Sequence, residues 1–331
     1  MVHLRIVVPQ DRCKQVLDLL EAAPSASNVV YLPGTARKPL GDVVLCDIAR
    51  EEASVLIEDL KDLGIPRDGS IALEQIDSQL SEAAERAERA ARGMPSDAVV
   101  WEEVEARTSE STELGGNFLA FMMLACLIAS VGIFTGSPIL IVGAMVVGPE
   151  FGPLAGLCVA LVERRREVGL RSLSALAVGF PVGITAAFIF TLICVATGLV
   201  DSDFESTQNP LTQFIAEPDA FSFIVAAFAG AAGVLSLTSS KSGALVGVLI
   251  SVTTIPAAAN VGVAAALGNW DDWLGAMTQL SVNMLAIVIA GVATLYVERI
   301  LFERRRSRHI GDGTRAAAGL PADSRRRTLR R

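Results

Sequence analysis

A chain of 331 residues that is 51% hydrophobic, only 19% charged and of net charge −8 is excluded from the disordered class and points to a large apolar part. The charges are segregated, with 22 acids against 12 bases in residues 1–113 and 11 arginines against three acids in 299–331. Between these ends Lys241 is the only lysine, so the order is acidic soluble part, membrane part and basic tail, and the negative total says little about partners.

The opening "MVHLRIVVPQDRCKQ" lacks the apolar core of a signal peptide, so the first segment is expected to stay in the cytoplasm. Five cysteines without a CxxC pair, and two histidines (His3 and His309), argue against a metal or disulfide framework. Residues 1–78 then read as alternating short elements. "HLRIVVP" is strand-like and "DRCKQVLDLLEAA" is helical, with Val16, Leu19 and Leu20 on one face. "NVVYLPG" and "DVVLCDIAR" are strands joined by the turn-rich "TARKPLG". "EEASVLIEDLKDLGI" is a second amphipathic helix, with Val55, Leu56, Leu60 and Leu63 inward, and "GSIALEQID" is a last strand. The order β-α-β-β-α-β predicts a ferredoxin-like α+β cytoplasmic domain. Such a head serves equally as a ligand sensor or as a docking and assembly platform.

Residues 79–113 predict a helical connector. "SQLSEAAERAERAARG" is one helix, and a second follows Pro95 with Ser96 or Asp97 as cap and Trp101 at the membrane interface. A membrane domain follows over 114–302. A bilayer core needs about 20 apolar residues per helix, and six stretches answer: 116–135, 138–162, 173–199, 221–240, 243–267 and 274–301. The basic loop "ERRREVGLR" faces the cytoplasm by the positive-inside rule. "VDSDFESTQNPLTQFIAEPDA" and "NWDDW" face outside, and "ERILFERRRSRH" returns inside. The expectation is a polytopic α-helical protein of the cell membrane, with both termini cytoplasmic. The basic tail, 303–331, is expected to be disordered and to rest on anionic headgroups rather than to bind nucleic acid.

The stretch "GAMVVGPEFGPLAG" within the second span raises a question. Pro149 and Glu150 fall at mid-depth there, and Pro256 falls at mid-depth in the fifth span. Three spans are an odd number, so 116–199 and 221–301 have the spacing of an inverted 3+3 repeat, and "GSPILIVGAMVVG" reads like "KSGALVGVLISVT". Pro/Gly-interrupted spans in corresponding positions mark a transporter's site. A proline frees backbone carbonyls that only protein, water or ligand can satisfy at that depth. Glu150 is the sole carboxylate well inside any span, and burying it costs several kcal/mol unless it is neutralised, paired or wet. Candidate neighbours are Asn260, Gln279, Asn283 and Lys241. Gly148, Gly152 and Gly156 recur at four-residue spacing and allow close packing. The candidate solute-binding set is therefore Gly148, Pro149, Glu150, Gly152, Pro153, Pro256, Asn260, Gln279 and Asn283.

"SPILIVGAMVVGPEFGPLAGLCVALVERRREVGLRSL" resembles the signature of an uncharacterised membrane family, domain of unknown function family 389. The resemblance rests on Gly143, Ala144, Met145, Pro149, Gly152, Pro153, the basic Arg164, Arg165, Arg166 and Arg171, and a second motif at Leu245, Val246, Gly247, Val248 and Pro256. It implies a small α/β head and six spans, and supplies no substrate. The chain departs from that pattern at Ala257, where a second proline is expected, and at Glu150, where the family carries an apolar residue.

No Cys–His or Ser–His set, Walker loop or HExxH helix is present, so neither an enzyme nor a resident cofactor or metal is expected. Two functions remain: a secondary transporter or channel-like conduit for a small polar or anionic solute, and an oligomeric receptor or scaffold whose head binds a ligand or protein. Open sheet edges and small-residue faces predict a homo-oligomer in the bilayer.

Overall fold

A computed structural model of the chain describes residues 1–76, 78–91, 99–201, 204, 220–238, 253–310 and 313–321. The chain divides into two compact units, Met1–Val104 with Glu298–Arg331, and Glu105–Val297.

In the first unit, β1 (Val2–Val8) alternates buried Val2, Leu4, Ile6 and Val8 with more exposed residues, the period of a half-buried strand. A 3₁₀ turn leads into α1 (Cys13–Ala22), and β2 (Ala26–Arg37) and β3 (Leu40–Ile48) form a hairpin. Then come α2 (Arg50–Asp62), the one-turn α3 (Ile65–Asp68) and β4 (Ser70–Gln75). The sheet order is β2-β3-β1-β4, and every pairing is antiparallel, with Leu4 opposite Cys46 on one side and Leu73 on the other. This is the split βαβ connectivity expected from the sequence. Val16, Leu19 and Leu20 of α1 and Leu56, Ile57 and Leu60 of α2 close the core against the buried face of the sheet. Each such side chain contributes about 1.5–3 kcal/mol of burial.

Two expectations are corrected here. "TARKPLG" is not a connecting loop: β2 runs to Arg37 and β3 resumes at Leu40, so only Lys38 and Pro39 turn the chain. Pro33 is tolerated inside β2 because that strand is an edge. Trp101 does not sit at an interface. It is buried, lies 6.2 Å edge-on to Phe302, and carries the Arg299 guanidinium at 5.3 Å over its ring.

The connector forms α4 (Glu82–Ala90), capped by the Ser81 hydroxyl accepting from the Ala84 amide at 3.3 Å, and α5 (Trp101–Ser111). The caps proposed at Ser96 and Asp97 lie outside the described residues. The start of α5 is tied to α2: Ser54 accepts from the Trp101 amide at 3.0 Å and donates to Glu102 at 2.8 Å, while Arg50 donates to Glu103 at 2.9 Å.

The basic tail is the largest correction. It does not become irregular at 303. The last long helix reaches Ile310, and a short helix follows at Gly313–Ala317. Arg306 pairs with Glu58 at 2.8 Å, His309 meets Asp59 at 2.9 Å, and Arg315 pairs with Asp59 and, at 3.1 Å, with Asp62. Ala318 and Leu320 join the core of the head. Arginines that read as solvated in isolation find a matching acidic face on α2, at positions 58, 59 and 62.

The second unit contains α6 (Gly116–Thr135), α7 (Pro138–Val147), α8 (Phe151–Glu163), α9 (Arg166–Ala196), α10 (Ala220–Thr238) and α11 (Thr254–Leu267). It also takes most of α12, which spans Trp270–Ile310. Among the described residues, α6, α9, α10 and α12 are long and apolar enough to cross a membrane. The pair α7 and α8, bent by 52° at a short break, makes up to five. The chain therefore has the character of a multi-pass membrane protein. Of the fifth expected span only the 14 residues of α11 are described, and "KSGALVGVLISVT" falls almost wholly outside the described residues. The basic loop is shorter than expected, because Arg166 and Glu167 already belong to the first turn of α9. Packing is close: a Cβ on Gly230 would lie 2.7 Å from the Ile287 Cα, so α10 and α12 meet nearly backbone to backbone there.

Candidate functional site

The break between α7 and α8 is the consequence of two residues. Pro149 has no amide, so the Met145 carbonyl loses its partner four residues on, and the helix stops at Val147. Gly148 caps it in an extended conformation, and the chain restarts from Glu150, the N-cap of α8, whose carbonyl accepts from the Leu154 amide at 3.2 Å. Gly148 is buried. A Cβ there would collide with the Glu150 carboxylate and lie 2.6 Å from Ile255 Cγ1, so the acid and the start of α11 occupy the space that the missing side chain leaves.

Glu150 is 1% exposed. Its Oε1 accepts from the Thr254 hydroxyl at 2.8 Å, and its Oε2 meets no partner. Thr254 is the first residue of α11, so the N-termini of α8 and α11 both lie at the carboxylate. The positive ends of their dipoles offset part of the cost of a negative group there. Beside it, the Asn283 amide of α12 donates to Thr253 Oγ1 at 2.6 Å, and Gln279, one turn away, donates to Asn283 Oδ1 at 3.4 Å. Gln279 Oε1 and both amide atoms of Asn260 are buried without a hydrogen-bond partner. Buried polar atoms left in this state are rare and each calls for a cause.

Of the residues singled out from sequence, Gly148, Pro149 and Glu150 form the break. Gly152 and Pro153 lie in the first turn of α8. Pro256 is buried in the first turn of α11, a position where its missing amide costs nothing. Asn283 and Gln279 reach the acid's neighbourhood through Thr253. Asn260 lies on α11 with no contact to Glu150 given by its hydrogen bonds. Lys241 lies outside the described residues. Thr253 and Thr254 went unnoticed in the sequence, although "SVTTIP" places two hydroxyls just ahead of the proline already under scrutiny.

The cavities run elsewhere. One of about 580 Å³ is an apolar groove between α6 and α9, lined by Met123, Leu127, Pro181, Thr185, Ile189 and Phe190. Another, of about 740 Å³, lies in the head between α1 and the β2–β3 hairpin, lined by Gln10, Lys14, Asp18, Tyr31, Gly34 and Asp42. There the Gly34 amide donates to Asp42 at 2.7 Å and the Tyr31 hydroxyl at 3.1 Å. The Gly34 amide above all holds the Asp42 carboxyl below its usual range, and hydrogen bonds with Cys13 and Asp42 push the Tyr31 phenol up to about 12. Among the described residues no group of three or more His, Cys, Asp or Glu is placed to hold a metal ion.

Comparison with known proteins agrees with the sequence motif. Residues 145–289 match the family described as Domain of unknown function (DUF389). The matched segment begins just before the break and includes Glu150, Thr254, Asn260, Gln279 and Asn283. An uncharacterised protein of Methanocaldococcus jannaschii is 25% identical over 196 residues, which are 59% of this chain and 58% of that protein. The match thus spans little more than half of the relative's length. No solved structure matches the chain.

Proposed function

We propose that the chain is a secondary transporter or channel-like conduit for a small polar solute, with its site at the break between α7 and α8 and the start of α11. The single observation that carries this is Glu150, a buried carboxylate in an apolar helix pair with one oxygen unpartnered, set among Thr253, Thr254, Asn283 and Gln279. A purely structural acid would be expected to have both oxygens satisfied. Glu150 and Pro256 are closed off by packing and the cavities lie elsewhere, which favours the alternative of a filled receptor or scaffold bundle. The transport reading rests on the unpartnered carboxylate oxygen.

Six spans fit this reading. The first unit joins residues 1–104 to 298–331, so the chain leaves a compact body and rejoins it. A soluble body lies on one side of a bilayer, which makes the number of crossings between even. Up to five crossings are at hand, and counting the fifth expected span, of which α11 is described, makes six. The inverted 3+3 arrangement is our reading, in which the broken α7–α8 span is paired with the span that contains α11. The exposed arginines Arg164, Arg165, Arg166 and Arg171 support a reading in which the connecting loop, and with it both ends of the chain, faces the cytoplasm. A homo-oligomer fits the open β2 edge, and a strictly monomeric mass in mild detergent argues against it. The reading invokes neither enzymatic turnover nor nucleic acid.

The test is solute flux into proteoliposomes containing the purified chain. Uptake above protein-free vesicles supports the reading, and none across a panel of charged and neutral metabolites refutes it. The head cavity favours a second reading, a membrane receptor in which Tyr31 and Asp42 line a ligand site. In that case a metabolite stabilises the head and no flux is seen.

A further inference from the structure

We infer that the solute accepted by the buried cluster is a small monovalent cation, either an alkali-metal ion or the ammonium group of a small amine. The inference rests on the transport reading and narrows it. Two acceptor oxygens joined through the adjacent Thr253 and Thr254 are buried without partners: Glu150 Oε2 at the start of α8 and Gln279 Oε1 on α12. Asn260, farther along α11, leaves both its amide oxygen and its amide nitrogen unpartnered and so adds one acceptor and one donor. With the Glu150 carboxyl ionised, an excess of acceptors asks for a cation or a donor-rich group, because acceptors cannot satisfy one another.

Charge points the same way. Between Arg171 and Arg299 the only basic residue is Lys241, and the described spans contain none. A buried carboxylate without a counter-charge costs several kcal/mol, and an anionic solute beside it would bring a second charge of the same sign into that surrounding. The anionic option drawn from the sequence therefore falls. One carboxylate balances one positive charge. Divalent ions are held by oxygen-rich shells that draw on several carboxylates, and no such group exists among the described residues. The remaining ligands, amide and hydroxyl oxygens, suit a hard monovalent ion or an ammonium that donates hydrogen bonds.

The test uses full-length protein in proteoliposomes and three probes: radioactive sodium ion, methylammonium and acetate. Saturable uptake of sodium or methylammonium, reduced at least tenfold in Glu150→Gln, supports the inference and tells the two cation sources apart. Acetate uptake that survives in Glu150→Gln overturns the cation assignment while leaving the transport reading standing. Thermal stability in detergent supplies a readout independent of flux. If no probe is taken up but sodium or methylammonium raises the melting temperature of the wild type and not of Glu150→Gln, the cation site stands and transport falls. Absence of both uptake and stabilisation overturns the cation site. Should Glu150→Gln not fold, Gln279→Met removes one acceptor at similar size. Roughly tenfold weaker half-saturation is then expected, as for one lost hydrogen bond to a charged group, and unchanged half-saturation counts against the proposal.

Discussion

Replacing Arg315 by alanine should unfasten the C-terminal segment from the head. Asp59 exposes none of its surface and is held by His309 at 2.9 Å and by the Arg315 guanidinium, whose other nitrogen reaches Asp62 at 3.1 Å. Arg315 is itself 2% exposed. Removing it leaves a buried carboxylate short of its strongest partner, and breaking one side of a buried pair costs about 3–5 kcal/mol. Against a domain stability of about 5–15 kcal/mol this is about a fifth or more of the total. Hydrogen exchange on the full-length protein in detergent reads it directly. Amides of β1, β3 and α2 that open only with the whole unit should exchange roughly two to four decades faster. A double variant, Asp59→Leu with Arg315→Leu, should recover most of that protection, because an apolar pair carries no stranded charge. Exchange unchanged within a few-fold in Arg315→Ala would refute the reasoning and return the tail to the solvated state that its composition suggests.

Three further outcomes follow. Gly148→Ala puts a Cβ against the Glu150 carboxylate and Ile255, so overpacking of about 1–3 kcal/mol is expected; an unchanged melting temperature contradicts the close approach. Glu51 is buried with both oxygens unpartnered, and burial first, then Glu88, raises its carboxyl above the usual value. A raised carboxyl loses folded-state stability as pH climbs from its unfolded value through its folded one. Glu51→Gln should therefore raise the melting temperature of the head at pH 7 and change it less near pH 4; equal effects at both sink the argument. Reporter fusions after Asp68 and Gly313 should read cytoplasmic, and those after Gln208 and Asp271 extracytoplasmic; an outside reading at either of the first two removes the six-span arrangement.

The head was legible because its two periods are clean: Val2, Leu4, Ile6 and Val8 alternate, and Val16, Leu19 and Leu20 recur at helical spacing. Glu150 was legible because a carboxylate in an apolar run stands out without any tertiary information. What could not be read were pairings distant in sequence. Nothing in "ERRRSRHIGDGTR" says that α2 offers acids at 58, 59 and 62, and local composition is blind to a partner some 250 residues away. Trp101 was misplaced for the same reason, since an aromatic beside a membrane segment looks interfacial until Phe302 and Arg299 are seen around it. Thr253 and Thr254 are within reach of sequence reasoning, because "SVTTIP" sets two hydroxyls close ahead of the proline that marks the span.

The first unit is built from both ends of the chain, and this sets an order of events at the ribosome. Residues 1–104 emerge early, yet Asp59 lacks Arg315, and the core lacks Ala318 and Leu320, until everything from Glu105 to Val297 has been translated. The head can collapse early but reaches full stability only once the apolar helices have been delivered to the bilayer. A chain that stalls before Arg315 keeps a stranded acid at the centre of its α2 face and stays open to proteases.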